Sequence, residues 1–346
     1  MRKDRIGAVL AKEAERLTLI LGVDGGGSKT RAVVTDSDGN ILGEGRAGCG
    51  NHQTGGIDAA LAEIRAAAGQ AVREAGAEPD DIAAVCYGLA GADRAADFAV
   101  LRPALATLPY RNWDVVCDTM TGLRAGTPDG VGVVLVCGTG TNAAGRNARG
   151  ETVQTGGFGY LYGDAAGGAY LAEETFRAAV RSWEMRERPS RLTRDVPAWY
   201  GFDTMEQLVN DWLDRAIDRV SPDLTLVLHR AADAGDELAI RILGNAGREL
   251  GLAAASVILR LGGFAAFGGR PIPVVLTGSV LQKGRNPHLL SALAETVRER
   301  AGGPCELVIP AIEPVFGAVL LAMDRLGIPE PADAHRRWSS ASADGG

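Results

Sequence analysis

The sequence predicts an α/β fold built from two similar lobes. Predicted strands and helices alternate along most of the 346 residues, which is typical of sheets covered by helices. A unit of strand, Gly-rich loop, strand, turn and strand occurs twice, and aligning the two copies places Gly25 on Gly138 and Gly39 on Gly150. Repetition of one unit predicts two lobes with a cleft between them, where a small ligand binds.

The first lobe, residues 17–118, is predicted from short apolar runs and turn signals. An Asp-Gly pair within residues 37–40 indicates a hairpin between the second and third strands. Apolar residues spaced by three and four predict a helix from Ile57 to Val72 that stops at Gly76, and a second helix covers Arg94–Leu108. The predicted strands are Leu17–Val23, Arg31–Asp36, Ile41–Glu44, Ile82–Leu89 and Trp113–Cys117.

The second lobe, residues 119–313, begins with the repeated unit and then becomes more helical. Its predicted strands are Val131–Cys137, Thr152–Gln154, Pro273–Thr277 and Cys305–Ile309, with a short segment at Asn142–Arg146. Its predicted helices are Gly168–Arg181, Met205–Arg219, Leu224–Ala234, Asp236–Leu261 and Pro287–Glu299. Residues 183–204 are predicted to be a polar connection.

The end of the chain is predicted to contain one more helix and a disordered tail. Pro314–Leu326 has its proline in the first turn, where a missing backbone N–H does no harm. We expect this closing segment, residues 314–327, to return to the first lobe. Residues 328–346 are rich in Pro, Ala, Ser and Asp, a composition that predicts disorder.

Composition excludes several classes of protein. The 36 basic and 43 acidic residues give a net charge of −7, and no stripe of Lys or Arg occurs, so a nucleic-acid partner is not expected. The apolar run Leu250–Leu259 is too short to span a membrane, and the first seventeen residues lack a secretory apolar region. We therefore expect a cytoplasmic protein without a membrane partner.

The five cysteines do not form a recognisable framework. They are odd in number, lie far apart and include no CxxC pair, so neither a set of disulfides nor a zinc cluster is predicted. The cysteines are expected to be small buried apolar residues of a protein in a reducing compartment. The five are Cys49, Cys86, Cys117, Cys137 and Cys305.

The first motif that carries chemistry is the DGGGSKT sequence at residues 24–30. Its three glycines allow backbone N–H groups to approach a phosphate closely, and Lys29 adds a cation. The sequence is not a Walker loop, because Ser28 separates the last glycine from the lysine. Asp24, at the end of a strand, is a candidate for holding Mg²⁺. An ordinary hairpin turn is the alternative interpretation.

A second Gly loop, Gly138-Thr139-Gly140-Thr141, occupies the same place in the second copy of the unit. Alone it is equally compatible with an ordinary turn. Paired with the first loop, it predicts a second group of phosphate contacts.

Asp118 follows the last strand of the first lobe. Ligands of open α/β sheets bind at the carboxyl ends of strands, and a carboxylate there can accept the proton of a substrate hydroxyl as it attacks phosphorus. The alternative is that Asp118 is the N-cap of a helix that runs through Leu123.

Two further segments are candidates for substrate binding. Residues 156–164, GGFGYLYGD, predict a loop folded closely against a ligand, with Asp164 as hydrogen-bond acceptor. Asp164 as the N-cap of the next helix is the alternative, and both roles can hold at once. Gly50-Asn51-His52 predicts either contacts to sugar hydroxyls or a stabilised turn.

Taken in order, the motifs resemble those of the N-acetylglucosamine kinase group within the BadF/BadG/BcrA/BcrD ATPase family. The resemblance runs from about Leu21 to Leu326. The motifs are DGGGSKT, GNH, GLAGADR, the strand that ends in Asp118, CGTGTN, GGFGYLYGD, LTGSV and EPVFGA. The resemblance implies a two-lobed actin-like ATPase fold, with duplicated ribonuclease H-like domains and a cleft between them.

The resemblance also implies roles for individual residues. Asp24 lies near the magnesium of Mg-ATP, and Asp118 is the general base on a sugar hydroxyl, that at C6. The implied ATP-binding residues are Gly25, Gly26, Gly27, Ser28, Lys29, Thr30, Gly138, Thr139, Gly140, Thr141, Gly278 and Ser279. The implied sugar-binding residues are Asn51, Asn142, Gly156, Gly157 and Asp164. The implied substrates are ATP and N-acetylglucosamine or glucosamine, and a homodimer is compatible with the resemblance.

The chain departs from the family pattern on the sugar side. Phe158 replaces the usual Trp, and Ala165-Ala166-Gly167-Gly168 follows Asp164. The acidic residue and the serine that are usual in this stretch are missing. Two other functions stay open: an ATPase activator of a radical dehydratase, which would need paired cysteines for an iron–sulfur cluster, and a non-catalytic sugar-binding regulator. The presence of Asp24, Lys29 and Asp118 favours turnover.

Overall fold

A computed structural model describes residues 17–343, with side chains through residue 339. The predicted absence of a secretory region concerns residues 1–16, which lie outside the described residues. The strands are β1 (Leu19–Gly25), β2 (Thr30–Thr35), β3 (Ile41–Ala47), β4 (Ile82–Leu89), β5 (Trp113–Cys117), β6 (Gly132–Cys137), β7 (Thr141–Arg146), β8 (Thr152–Gly156), β9 (Ile272–Thr277) and β10 (Cys305–Val308).

The helices include four short 3₁₀ turns, at Pro79–Asp81, Tyr160–Tyr162, Pro222–Leu224 and Phe264–Phe267. The α-helices are α1 (His52–Gly55), α2 (Ile57–Glu74), α3 (Ala95–Leu105), α4 (Asp118–Gly126), α5 (Gly168–Trp183), α6 (Leu192–Trp199), α7 (Met205–Asp214), α8 (Thr225–Asp233), α9 (Glu237–Arg260), α10 (Ser279–Gln282), α11 (Pro287–Ala301), α12 (Pro314–Leu326) and α13 (Ala334–Ala343).

The chain divides into two compact units. The first contains the described residues up to Gly130 and those from Ala311 onward, and the second is Val131–Pro310. Helix α4 therefore lies in the first unit, whereas the sequence prediction assigned residues 119–126 to the second lobe. The physical reason is that α4 packs against α12, which itself packs on β1 and β4.

The first unit is a five-stranded sheet with helices on both faces. Its strand order is β3-β2-β1-β4-β5; β2 pairs antiparallel with β1 and β3, and β4 pairs parallel with β1 and β5. Side chains alternate along β1, so that Leu21 and Val23 join the core under α2 and α3 while Ile20 joins the core under α12. Gly22 allows α12 to lie on β1, because a Cβ there would be 2.7 Å from the carbonyl oxygen of Val315.

The second unit contains a sheet of the same order and directions. Its order is β10-β9-β6-β7-β8, with β7 antiparallel to β6 and β8, and β9 parallel to β6 and β10. Helices α5 to α9 and α11 are its additional part. They form one core with the sheet, and α9 packs along α11.

Helix α9 is long and apolar enough, by length and composition, to cross a membrane. More than half of the qualifying window is buried within the protein, however. Leu243, Leu250 and Val257 of its inner face belong to the core of the second unit, which is what a core helix requires.

Two sequence predictions of irregular structure were wrong. The polar connection at 183–204 contains helix α6, whose Leu192 and Val196 are fully buried. The tail contains helix α13, whose Trp338 is fully buried and stacks on Phe316 with ring centroids 4.9 Å apart. In both segments a few apolar side chains among polar ones meet a partner that lies far away in the sequence.

An ionic network joins α4 to the chain end. Arg124 is buried; its guanidinium is 2.8 Å from Oδ2 of Asp324 and 2.8 Å from Oε2 of Glu330. It also donates to the carbonyl oxygen of Thr127 at 3.0 Å. A buried Arg with this many partners is compensated for its lost hydration, and it fixes residues 324–330 against α4.

Replacing Gly317 with alanine is expected to destabilise the first unit. A Cβ at Gly317 in α12 would lie 1.9 Å from the carbonyl oxygen of Thr121 in α4, so the two helices would have to separate. Overpacking of this kind costs about 1–3 kcal/mol or more, which exceeds the gain of about 1 kcal/mol that alanine brings to a helix.

Gly244→Ala in α9 is the matched control, because a Cβ there meets nothing within 4 Å. It is expected to raise the free energy of unfolding by up to about 1 kcal/mol. Urea unfolding of both variants measures the difference, and equal changes in the two would contradict the close packing of α4 and α12.

Candidate active site

The first Gly loop is a tight turn between β1 and β2. The backbone N–H of Gly26 donates to the carbonyl of Lys29 at 2.9 Å, and that of Gly50 donates to the carbonyl of Gly26 at 3.0 Å. Gly27, Ser28 and Lys29 are exposed, as contacts to a phosphate require. Gly25 and Thr30 of the predicted set are instead buried, and the Thr30 hydroxyl donates to the carbonyl of Gly48 at 2.9 Å.

The second Gly loop is fixed to the start of helix α5. The N–H of Gly138 donates to the carbonyl of Gly140 at 3.0 Å, and the carbonyls of Gly138 and Thr139 accept from Gly168 and Ala169 at 2.7 and 3.0 Å. Thr139 and Gly140 remain exposed at the tip. The hydroxyl of Thr141 donates inward, to the carbonyl of Ala165 at 3.0 Å.

Gly278 lies against the start of this second loop. Gly278 has a φ of +87°, and a Cβ there would be 2.4 Å from the carbonyl carbon and oxygen of Cys137. Only glycine fits such a conformation and approach. Ser279 begins helix α10. Gly278 therefore lies against Cys137 and Gly138, where the second Gly loop begins.

Two carboxylates stand at strand ends of the first unit. Asp24 is the penultimate residue of β1, and Asp118 directly follows β5; β4 lies between these two strands. The N-cap position of α4 is Cys117, and Asp118 is the first helical residue. Asp118 is therefore not the helix N-cap that the sequence left as an alternative.

Both carboxyl groups have raised pKa values. Burial, together with the negative charges of Asp118 and Glu313, raises the pKa of Asp24 from 3.8 to about 7. Burial is also the main reason that the pKa of Asp118 is raised, and the charge of Asp93 acts in the same direction. Perturbed carboxyl groups at the carboxyl ends of strands are characteristic of catalytic and metal sites.

Sequence reasoning did not identify the residues that surround these carboxylates. Glu313 binds Arg31 at 2.6 Å, and Arg31 also pairs with Glu44 at 3.1 Å. Asp93 and Asp118 each have their Oδ1 atom 3.3 Å from the Sγ atom of Cys117. Two of these residues stand in motifs of the family resemblance: Asp93 belongs to GLAGADR and Glu313 to EPVFGA. That membership was the sequence signal by which they could have been found.

The raised pKa of Asp24 makes a prediction about stability. The folded protein binds the Asp24 proton more tightly than the unfolded chain does, so stability falls as pH rises from about 4 to about 7 and the loss is complete above 7. Asp24→Asn removes this loss. Its Tm is expected to equal that of the wild type at pH 4 and to exceed it increasingly up to pH 7.

Asp38→Asn, in the exposed hairpin turn, is the matched control. Its difference from the wild type should not follow this profile. Thermal unfolding across the pH range is the measurement, and a difference between Asp24→Asn and the wild type that does not change with pH would contradict the prediction.

Most of the predicted sugar-binding residues lie in the second unit. Asn142, Gly156 and Asp164 line a cavity of about 250 Å³ that is closed on one side by Glu249 and Ala253 of α9. Gly157 lies directly over Asn142, since a Cβ at Gly157 would be 2.9 Å from the Asn142 Cγ.

Asn142 and Asp164 differ in their free hydrogen-bonding capacity. The Oδ1 atom of Asn142 is buried and has no partner in the part of the chain that the structure describes. Asp164 accepts from the N–H groups of Gly157, Phe158 and Gly159 at 3.2, 2.6 and 2.5 Å. Asp164 therefore shapes the 156–164 loop, and the N-cap position of α5 is Gly167 rather than Asp164.

Asn51 belongs to the first unit and caps the short helix α1. Its Oδ1 accepts from the N–H of Gln53 at 2.8 Å. The neighbouring His52 lies with its Nε2 3.5 Å from Oδ1 of the buried Asp97. The turn-stabilising role that the sequence left open for this segment is thus present.

No group of three or more His, Cys, Asp or Glu side chains within residues 17–343 is arranged to hold a metal ion. All five cysteines are free. A magnesium ion that enters with a nucleotide needs only one or two carboxylates, because phosphates and water supply its other ligands.

The matches with known proteins described below span from 69% to 89% of the chain. The sequence model of the BadF/BadG/BcrA/BcrD ATPase family matches residues 21–322. An N-acetylmuramic acid/N-acetylglucosamine kinase of Clostridium acetobutylicum is 28% identical over 241 residues, 69% of this chain and 79% of that protein. An N-acetyl-D-glucosamine kinase of Dictyostelium discoideum is 27% identical over 318 residues, 88% of this chain and 98% of that protein.

A solved structure shows which known fold the chain shares. The crystal structure of a candidate N-acetylglucosamine kinase from Chromobacterium violaceum superimposes with a TM-score of 0.63 and 25% identity. The match covers 89% of this chain and 99% of that one. The two α/β units with their five-stranded sheets are therefore the fold of this group of proteins.

Proposed function

Because the chain belongs to the BadF/BadG/BcrA/BcrD ATPase family, we propose that it phosphorylates an amino sugar, N-acetylglucosamine or glucosamine, at the C6 hydroxyl with ATP as donor. The two curated relatives are sugar kinases by name, which supports an ATP-dependent sugar kinase. The observation in this chain that carries the proposal is the carboxylate of Asp118, which stands at the end of β5 with a raised pKa.

ATP is held by the two Gly loops in this proposal. The exposed Gly27, Ser28 and Lys29 of the first loop contact phosphate oxygens through backbone N–H groups and the ammonium group. The exposed Thr139 and Gly140 do so from the second loop. Gly278 and Ser279 approach the adenosine. The equal strand order of the two sheets supports the duplicated ribonuclease H-like architecture that the resemblance implies.

The residues around Asp24 fit a magnesium ion. Burial and the charges of Asp118 and Glu313 favour protonation of the Asp24 carboxylate. A nearby dication would offset the repulsion between these negative charges. A magnesium ion bound with ATP would supply positive charge against the transferred phosphoryl group and the leaving ADP. Asp24 would hold it directly or through water.

Asp118 accepts the proton of the sugar hydroxyl. The hydroxyl oxygen forms a bond to the γ-phosphorus, the bond between this phosphorus and the β–γ bridging oxygen breaks, and ADP leaves with the bond's electrons. Because burial raises its pKa, Asp118 is a stronger base than an ordinary aspartate, as this proton transfer requires.

The sugar is held by the side-chain amides of Asn142 and Asn51 together with the 156–164 loop. The unpartnered Oδ1 of Asn142 accepts a hydrogen bond from a sugar N–H or O–H group, and Asn51 donates from its amide nitrogen. Gly156, Gly157 and Asp164 give the loop its shape, and Asp164 retains capacity for one further donor.

The test is ADP release from MgATP with a panel of N-acetylglucosamine, glucosamine, N-acetylmuramic acid, N-acetylmannosamine and glucose. Sugar-dependent ADP, together with a phosphorylated sugar identified by mass and by NMR as the 6-phosphate, is the expected result. ADP at one rate with and without every sugar would indicate an ATPase. Sugar binding by calorimetry without any ADP would indicate a regulator.

A further inference from the structure

The thiol of Cys117 lies between two carboxylates at the end of β5. Its Sγ atom is 3.3 Å from Oδ1 of Asp118 and 3.3 Å from Oδ1 of Asp93. These distances are within the range of sulfur hydrogen bonds to oxygen. One S–H group therefore has two acceptors, and each acceptor is on a different segment of the chain.

The thiol remains protonated between these groups. Burial and the negative charges of Asp118 and Asp93 raise the pKa of Cys117 well above its ordinary value. A thiolate between two carboxylates would be strongly repelled, so Cys117 acts only as a hydrogen-bond donor. An inert buried cysteine needs no such partners, because its packing alone is sufficient.

We propose that Cys117 is a positioning residue for Asp118 and that Asp93 is the second acceptor of its S–H group. This inference rests on the proposed role of Asp118 as general base. The S–H group donates to Oδ1 of Asp118 and so holds the carboxylate in the orientation in which it meets the sugar hydroxyl. Cys117 itself touches neither substrate in this arrangement.

Asp93 gives the S–H group an alternative partner during turnover. When Asp118 accepts the proton of the sugar hydroxyl, its carboxylate loses its charge and becomes a weaker acceptor. The S–H group then turns toward Asp93, which is still charged. The S–H bond is never broken; only its hydrogen-bond acceptor changes, and it returns when Asp118 releases its proton to water.

Steady-state kinetics of Cys117→Val and Cys117→Ser test the positioning role. The valine variant is expected to lower kcat about 10-fold with the KM for the sugar changed less than about 2-fold, because only the transition-state position of the base is affected. The serine variant, whose hydroxyl donates to the same carboxylates, is expected to recover most of kcat. Cys86→Val, a buried cysteine of the neighbouring strand β4, is the matched control with kcat unchanged.

Equal kcat values for the wild type and Cys117→Val, or failure of serine to restore kcat, would overturn the inference. Infrared spectroscopy supplies a readout that does not depend on activity. Subtracting the Cys117→Ser spectrum isolates the S–H stretching band of Cys117. This band is expected to move little in Asp93→Asn or Asp118→Asn alone, because each variant leaves one carboxylate as acceptor, and to move to higher frequency in the double variant, since a neutral amide accepts more weakly than a carboxylate.

The two methods also separate the inference from the proposed function. If the protein has no sugar kinase activity and the band moves in the double variant, the proposed function is refuted and the thiol geometry is retained. If the protein is an active kinase and the band does not move in the double variant, the thiol geometry alone is refuted.

Discussion

Asp118→Asn is expected to lower kcat for sugar-dependent ADP formation by about 10²–10⁴-fold, the usual contribution of a general base. The asparagine amide has nearly the same shape as the carboxylate but cannot accept the proton of the hydroxyl. Binding of ATP and of the sugar should be preserved, so the KM values should change little. ADP release under saturating MgATP and sugar measures the effect, with circular dichroism and Tm as evidence that the variant folds.

Asp114→Asn is the matched control for this experiment. Asp114 is on the same strand, β5, but it is partly exposed and pairs with the exposed Arg102 at 3.3 Å. Exposed ion pairs contribute little to stability, so this variant should retain the wild-type kcat. Activity of Asp118→Asn within a few-fold of the wild type would contradict a role for Asp118 as general base.

Trp338→Ala is expected to lower the free energy of unfolding by about 3–5 kcal/mol, the usual loss for a buried Trp. The indole is fully buried, stacks on Phe316 at an interplanar angle of 10°, and donates from Nε1 to the carbonyl of Gly39 at 2.9 Å. Its removal leaves a cavity and an unsatisfied carbonyl in the hairpin between β2 and β3.

Trp183→Ala provides the comparison for a tryptophan that is 40% exposed, at the end of α5. Its loss in the free energy of unfolding should be much smaller. Urea unfolding followed by circular dichroism gives both values without relying on the removed fluorophore. Equally small losses would show that α13 is not held by its tryptophan.

Local patterns predicted those elements whose burial is evident from their own residues. The predicted bounds of β4, β5 and α12 coincide with the observed ones, because each is an apolar run bounded by turn or proline signals. Helix α13 was not predicted, since its stability depends on one indole that meets Phe316 and Gly39. A composition rich in Ala and Ser carries no information about such a distant partner.

The candidate site also contains features that local sequence patterns predicted and features that they did not. The strand-end positions of Asp24 and Asp118 were predictable from the alternation of strands and glycines. The approach of Asp93 to Cys117 was not, because it depends on β4 being placed between β1 and β5. The partners of Asp164 were also outside prediction, since they are backbone N–H groups of its own loop.

The division of the first unit between both ends of the chain has a consequence for its synthesis on the ribosome. Helix α12 covers one face of the first sheet, including Ile20 and Cys86, yet it is translated only after all of Val131–Pro310 has been made. The second unit, which is continuous in sequence, can complete its core while the nascent first sheet still exposes an apolar face. Nascent chains arrested before residue 314 are therefore the species for which binding by chaperones and aggregation are expected to be greatest.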